Sequence, residues 1–277
     1  MQKQHKGYSS TITHALAHTN AGYKSLSAAR IHICTSQELR SVNMKLILSM
    51  FVAAVLLSDV EAGRSLVFPE ETANSLVELT PAKPLSLDAF TLCLRFATEL
   101  KGKREVILFA YRTLHFDELN VWREKDGRLS LYLSGPGAFF EVPELGPLAN
   151  HVCLTWESLT GRTTMYVNGR SSASQIYQRG HRVRPGGRVI LGQDPDNFLG
   201  DFQAEQSFVG EIFGVNMWDY VLPSVAIQLL STGEDFSDAN VLDWATVTLM
   251  PTGSVVAFQK RSLDLKPSTT SLDALFE

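Results

Sequence analysis

The sequence predicts an all-β fold, a two-sheet sandwich of jelly-roll type with one short helix. Three observations point to it: short β-rich runs at regular spacing, turn chemistry between them, and a single helical pattern. In order, the runs are Ala89–Phe96, Glu105–Tyr111, Glu118–Trp122, Arg128–Gly135, His151–Trp156, Thr163–Val167, Arg188–Gly192 and Ser207–Trp218. Several alternate apolar and polar residues, as half-buried strands do. "KDG" at Lys125–Gly127, "GPG" at Gly135–Gly137, "NG" at Asn168–Gly169 and "RPGG" at Arg184–Gly187 punctuate them. The helix is expected from Pro223 through Leu230, with Gly233 as its stop.

The front of the chain reads differently. From Met44, one Lys precedes an apolar run, Leu46–Leu57, interrupted only by Ser49, and Val60-Glu61-Ala62 offers a small-x-small cleavage pattern. This is the layout of a secretory signal peptide at 44–62, too short to span a membrane. Residues 1–43 are expected to be an upstream extension outside the fold. The remainder, 63–277, suits one domain, with a polar, Ser/Thr-rich tail after Pro251 that is expected to be mobile from about residue 265. Setting 1–62 aside removes six of 25 basic and three of 29 acidic residues, leaving 19 against 26. That negative balance argues against general nucleic-acid binding. Of three cysteines, Cys34 lies in the discarded segment. Export leaves Cys93 and Cys153 to pair or to remain buried thiols.

The chemistry concentrates in "GQDPDNFLGDFQAEQ", Gly192–Gln206, which is either a solvated acidic turn or an oxygen cage for a hard cation. As an EF-hand it fails. With Asp194 at position 1, Phe198 and Leu199 fall where a ligand and a turn glycine belong, and the flanks read as strands. A sandwich loop would need a ligand from elsewhere, and Asp117-Glu118 is the other acidic pair at a strand start. "QRGHRVRPGGR", Gln178–Arg188, is a basic loop that either binds polyanions or is simply solvated. There is no Asn-x-Ser/Thr acceptor, Gly-x-Ser-x-Gly or His-Glu-x-x-His, and the acidic residues do not alternate along a strand as paired glycosidase carboxylates would. The chain is therefore read as a binding protein, not an enzyme.

"HVCLTWES", His151–Ser158, matches the pentraxin signature His-x-Cys-x-Ser/Thr-Trp-x-Ser/Thr at every fixed position. "LVFPEE" (Leu66–Glu71), "ILGQDPD", "QSFVGEI", "VNMWDYVLP" and "VLDW" (Val241–Trp244) extend the likeness over nearly all of 63–277. The chain resembles the short pentraxins, the C-reactive protein and serum amyloid P component family. The resemblance implies a lectin-like (concanavalin-like) protomer, a Cys93–Cys153 disulfide, a flat homopentamer and two Ca2+ per protomer. It also implies secretion, an acute-phase role in innate immunity, and phosphate-bearing or carbohydrate ligands bound through the calcium face.

Carried over by position, the metal ligands are Asp117, Asp194, the Pro195 carbonyl, Asp196, Gln203 and Gln206. The floor of the ligand pocket falls on Trp122 and Tyr132. Departures are plain. One residue is missing before Asp117, so His115 or Phe116 stands where an acidic ligand is usual. Asp194 shortens a Glu. Gln203 replaces an acidic bridging ligand, so one calcium is expected to bind normally and the second weakly. The acid that faces a quaternary ammonium in phosphocholine-binding members falls on Gly137. The positions tied to complement binding fall near Asn168 and Ser231, without the matching chemistry. The rival reading is a calcium-independent secreted adhesion or polyanion-binding sandwich.

Overall fold

The computed structural model describes residues 63–100, 104–198, 200–234 and 239–259. The expected leader at 44–62, Cys34 and the tail from about 265 lie outside the described residues. Arg64–Phe68 forms β1, Leu76–Thr80 β2 and Ala89–Ala97 β3. Val106–Arg112 (β4), Asp117–Arg123 (β5), Leu129–Tyr132 (β6) and Ala138–Phe140 (β7) follow as a meander. Next come Asn150–Glu157 (β8), Arg162–Val167 (β9), Arg170–Ser171 (β10) and Gln175–Ile176 (β11). Arg188–Leu191 (β12) and Gly210–Trp218 (β13) flank a single 3-10 turn, Ala204–Gln206. Helix α1 spans Ser224–Thr232, and Thr248–Thr252 (β14) and Val256–Gln259 (β15) complete the set.

All strand pairs are antiparallel, in two sheets. The first runs β10-β9-β8-β3-β13-β1-β15, with β11 also on β9, and the second runs β14-β2-β12-β4-β5-β6-β7. The two-sheet sandwich predicted from the strand spacing is the fold observed.

Alternation explains how each strand serves two environments. On β3, Phe90, Leu92, Leu94 and Phe96 enter the core between the sheets; on β8, Val152, Leu154 and Trp156 meet them. Cys93 and Cys153 occupy the opposite face as directly paired neighbours and are disulfide-bonded. They sit in a second apolar cluster with Trp218, Leu222, Ala226 and Ile227, so α1 covers that outer face. Gly233 ends α1 in the left-handed conformation at φ 90°, as the sequence suggested. The outer face of the second sheet carries a smaller cluster of Ile107, Ala110, Trp122 and Ile190, beside which the candidate site lies.

Strand ends differ from expectation where side chains capture the backbone. The run expected to reach Gly135 stops at Tyr132, because Ser134 takes φ 50° and its hydroxyl donates to Glu118. The strand expected from Ser207 begins at Gly210, since Ser207 closes the 3-10 turn onto the Ala204 carbonyl at 2.6 Å. The polar region after Pro251 contains strand residues: β14 and β15 are the edges of the two sheets. An edge tolerates Pro251, whose missing N–H is not needed by a second neighbour.

Candidate functional site

A β-bulge on β5 builds the site. Ala110 pairs with Asn120 and Tyr111 with Leu119, but Arg112 pairs with Asp117, so Glu118 is the extra residue. The bulge shifts the alternation by one and puts Asp117 on the same outer face as Asn120 and Trp122. Asn120 and Trp122 in turn pair with Tyr132 and Ser130 of β6. Behind them, β12 delivers the acidic loop. Gly192 sits at φ 89°, and a Cβ there would lie 2.1 Å from the Phe68 ring, so the turn into Gln193 and Asp194 requires glycine. Gln193 is fully buried and ties the loop to the Ser75 carbonyl at 3.2 Å.

Asp117, Asn120, Trp122, Tyr132, Asp194 and Gln206 line one hollow of about 400 Å3, with Glu105 and Glu124 on its wall. Of the residues singled out from sequence, the structure thus gathers Asp117, Asp194, Gln206, Trp122 and Tyr132. Asp196 is near enough for its charge to act on Asp194, and Gln203 donates to Asp196 Oδ2 at 2.6 Å. Pro195 is buried between the two carboxylates. Asp201 stands aside, accepting from Asn197 at 3.1 Å. Phe116, at the position of the expected upstream acid, lies under the Arg184 guanidinium, 4.2 Å from its ring centre.

The electrostatics are those of a site short of positive charge. Asp194 is 6% exposed. Burial first, then the Asp117 and Asp196 carboxylates, push its carboxyl up to about 7. Arg112 ion-pairs with Asp117, and Asn120 donates to Asp194 Oδ1 at 2.8 Å. Among the described residues, three amide oxygens are shut from solvent without a hydrogen-bond partner: Gln193 Oε1 at the root of the loop, Gln206 Oε1 and Asn120 Oδ1. Gln206 and Asn120 line the hollow. A buried carboxylate, Asp194, with the partly exposed Asp117 and Asp196 and these two orphaned carbonyl-type oxygens forms the oxygen donor set that a hard dication takes, and Ca2+ fits it. Neither Asn120 nor Arg112 was found from sequence, since a lone Asn in "ELNVW" looks like an ordinary strand residue until the bulge is seen.

At the far end of the hollow, Glu124 Oε1 accepts from Ser130 Oγ at 2.5 Å and Tyr132 Oη at 3.3 Å. Burial, then the Glu124 carboxylate, push the Tyr132 phenol up to about 12. The Tyr132 ring closes over Gly137, where a Cβ would come within 2.7 Å of it. No acid can therefore project from position 137 without displacing that ring.

The basic loop is not a bare cationic patch. Arg182 pairs with Asp88 and Arg188 with Glu78, while His181 and Arg184 converge on Glu118. Among the described residues, no helix is long and apolar enough to cross a membrane.

Comparisons with known proteins agree with this architecture. The pentaxin family model matches residues 64–258. The chain is 52% identical over 198 residues to C-reactive protein of Danio rerio, covering 70% of this chain and 88% of that one. It is 37% identical over 193 residues to C-reactive protein of Homo sapiens, covering 69% and 86%. A native heptameric SAP-like pentraxin from Limulus polyphemus superposes with a TM-score of 0.63 at 21% identity, covering 71% of this chain and 94% of that one. At that identity the superposition speaks for the sandwich alone. With the family model matching most of the chain and relatives alike over nearly their whole length, this protein belongs to the pentaxin family.

Proposed function

We propose that this protein is a secreted, calcium-dependent recognition protein of innate immunity. It binds phosphate-bearing or carbohydrate groups at the hollow beside Asp117 and Asp194 and does no chemistry on them. The observation that carries the reading is the buried Gln206 oxygen without a partner among clustered carboxylates, which a calcium ion would satisfy. Asp117, Asp194, the Pro195 carbonyl, Asp196 and Gln206 would hold it, with Gln203 at the weaker of two positions. Bound calcium would bridge protein carboxylates to a phosphate or to sugar hydroxyls. The protein's own part is to orient the rest of the ligand between Trp122 and Tyr132, with Glu124 at the far wall.

Single-site affinity through one metal bridge is weak, and a homopentameric ring would multiply it. The Limulus polyphemus relative is described as heptameric, so ring size is to be measured by sedimentation. Complement activation is no part of the proposal. Near its family positions, Asn168 accepts from the His151 N–H and Ser231 donates to the Gln228 carbonyl, both local bonds.

The test is capture on beads carrying phosphocholine, phosphoethanolamine or galactose, in calcium and then in chelator. Capture on at least one matrix, released by chelator, is expected. Failure on all three in calcium would overturn the ligand class. Capture that persists in chelator would favour the calcium-independent adhesion reading.

A further inference from the structure

The calcium reading leaves one place unfilled. The resemblance implies a carboxylate ligand just before Asp117, where Phe116 and His115 stand instead, and both line the hollow. Asn120 lies on the same outer face, brought level with Asp117 by the bulge at Glu118. It is flanked across the strands by Ala110 and Tyr132.

Asn120 is 3% exposed. A neutral amide so deeply buried is costly unless both ends are bonded. One end is: Nδ2 donates to Asp194 Oδ1 at 2.8 Å. The other is not, since Oδ1 is shut from solvent without a hydrogen-bond partner. This amide therefore holds a carboxylate of the cluster with its N–H while its oxygen has no hydrogen-bond donor.

We propose that the Asn120 side-chain oxygen is itself a calcium ligand, filling the place lost upstream of Asp117. The assignment rests on the calcium reading above. It makes Asn120 bifunctional, with Nδ2 fixing Asp194 and Oδ1 coordinating the ion alongside Asp117 and Gln206. The oxygen donors then come from one strand face, Asp117 and Asn120, and one loop, Asp194 to Gln206. The neutral amide adds an oxygen without adding to the repulsion among Asp117, Asp194 and Asp196.

The experiment compares full-length wild type with Asn120→Leu and Asn120→Asp, each stripped with chelator. Calorimetric titration with calcium alone gives affinity. Terbium luminescence lifetimes in light and heavy water give the number of waters on the ion. Asn120→Leu is expected to weaken the tighter calcium about ten- to a hundredfold and to add bound water to terbium. Asn120→Asp, which keeps an oxygen, is expected to retain or tighten binding.

Unchanged affinity and hydration in Asn120→Leu would overturn the ligand assignment and leave the calcium reading standing. Equal weakening in both variants with unchanged hydration would also overturn it, making Asn120 only a positioning residue for Asp194. Absence of calcium and terbium uptake by wild type would overturn the underlying reading as well. Melting temperatures in chelator check that the variants fold.

Discussion

Asp117 and Glu118 are consecutive carboxylates on one strand, and their surroundings differ in kind. Glu118 is fully buried, yet its oxygens are saturated. His181 Nε2 lies 2.9 Å away, the Arg184 N–H donates at 2.9 Å, Arg184 Nη1 at 2.8 Å and Ser134 Oγ at 2.6 Å. On the other side of the bulge, Asp117 and Asp194 share a hollow with two amide oxygens that have no partner. The saturated acid is scaffolding, whereas orphaned oxygens gathered beside carboxylates in one hollow mark a place for a cation. Glu118 pins the 178–187 loop to the strand, and that anchor holds the bulge that aims Asp117.

The largest way to break this contrast is at Glu118. Glu118→Gln leaves the Arg184 and His181 donors without their full acceptor and should cost about 3 kcal/mol. Denaturant unfolding should show the same loss with and without calcium. A loss confined to calcium-loaded protein would place Glu118 in the binding site instead.

His151, on β8 of the first sheet, is another buried titratable group. It is 4% exposed, and burial, then the Arg95 charge, hold its imidazole down at about 3. The unfolded chain then binds the extra proton between about pH 6.5 and 3, so stability falls as pH drops through that window. The contribution is at most ~5 kcal/mol, and His151→Gln should flatten the acid limb of a pH–stability curve. An identical acid limb in wild type and variant would show that His151 does not set it.

Asp194 should behave in the opposite sense to Glu118. Asp194→Asn relieves carboxylate repulsion in the absence of metal and should raise stability in chelator by about 1 kcal/mol. The same change should abolish calcium-dependent capture. Destabilisation in chelator would make Asp194 scaffolding.

The smallest effect is expected at Gln203. Gln203→Glu gives up the hydrogen bond to Asp196 but restores a bridging charge, and should tighten only the weaker calcium, by several-fold. Two equal, tight sites in the unaltered protein would refute the inequality.

Sequence periodicity carried much of this. Strands β3–β6, β8, β9, β12 and β13, the helix stop at Gly233 and the signature around Cys153 were legible because alternation and turn chemistry are local. The acidic loop was legible as a candidate because its residues are adjacent in the chain. The bulge was not, since its register depends on how Arg112 meets Asp117 across two strands. Without the bulge, Asn120 could not be placed beside Asp117, nor Glu118 told apart from it. The pairing of Arg182 with Asp88 and Arg188 with Glu78 was likewise hidden by sequence distance, so the basic loop read as a candidate patch. Strands β1, β2, β7, β10 and β11 and the edge strands β14 and β15 were missed because runs of two to five residues are too short to show alternation.

The central claim is that the unsatisfied cluster is a calcium site. Thermal unfolding of chelator-stripped protein against added calcium tests it most directly, because an ion bound only by the folded state must raise the melting temperature with concentration. A calcium-dependent rise is expected in wild type and in His151→Gln, and none in Asp194→Asn. An unmoved melting temperature in the wild-type protein, with calcium raised to millimolar levels, would contradict the account.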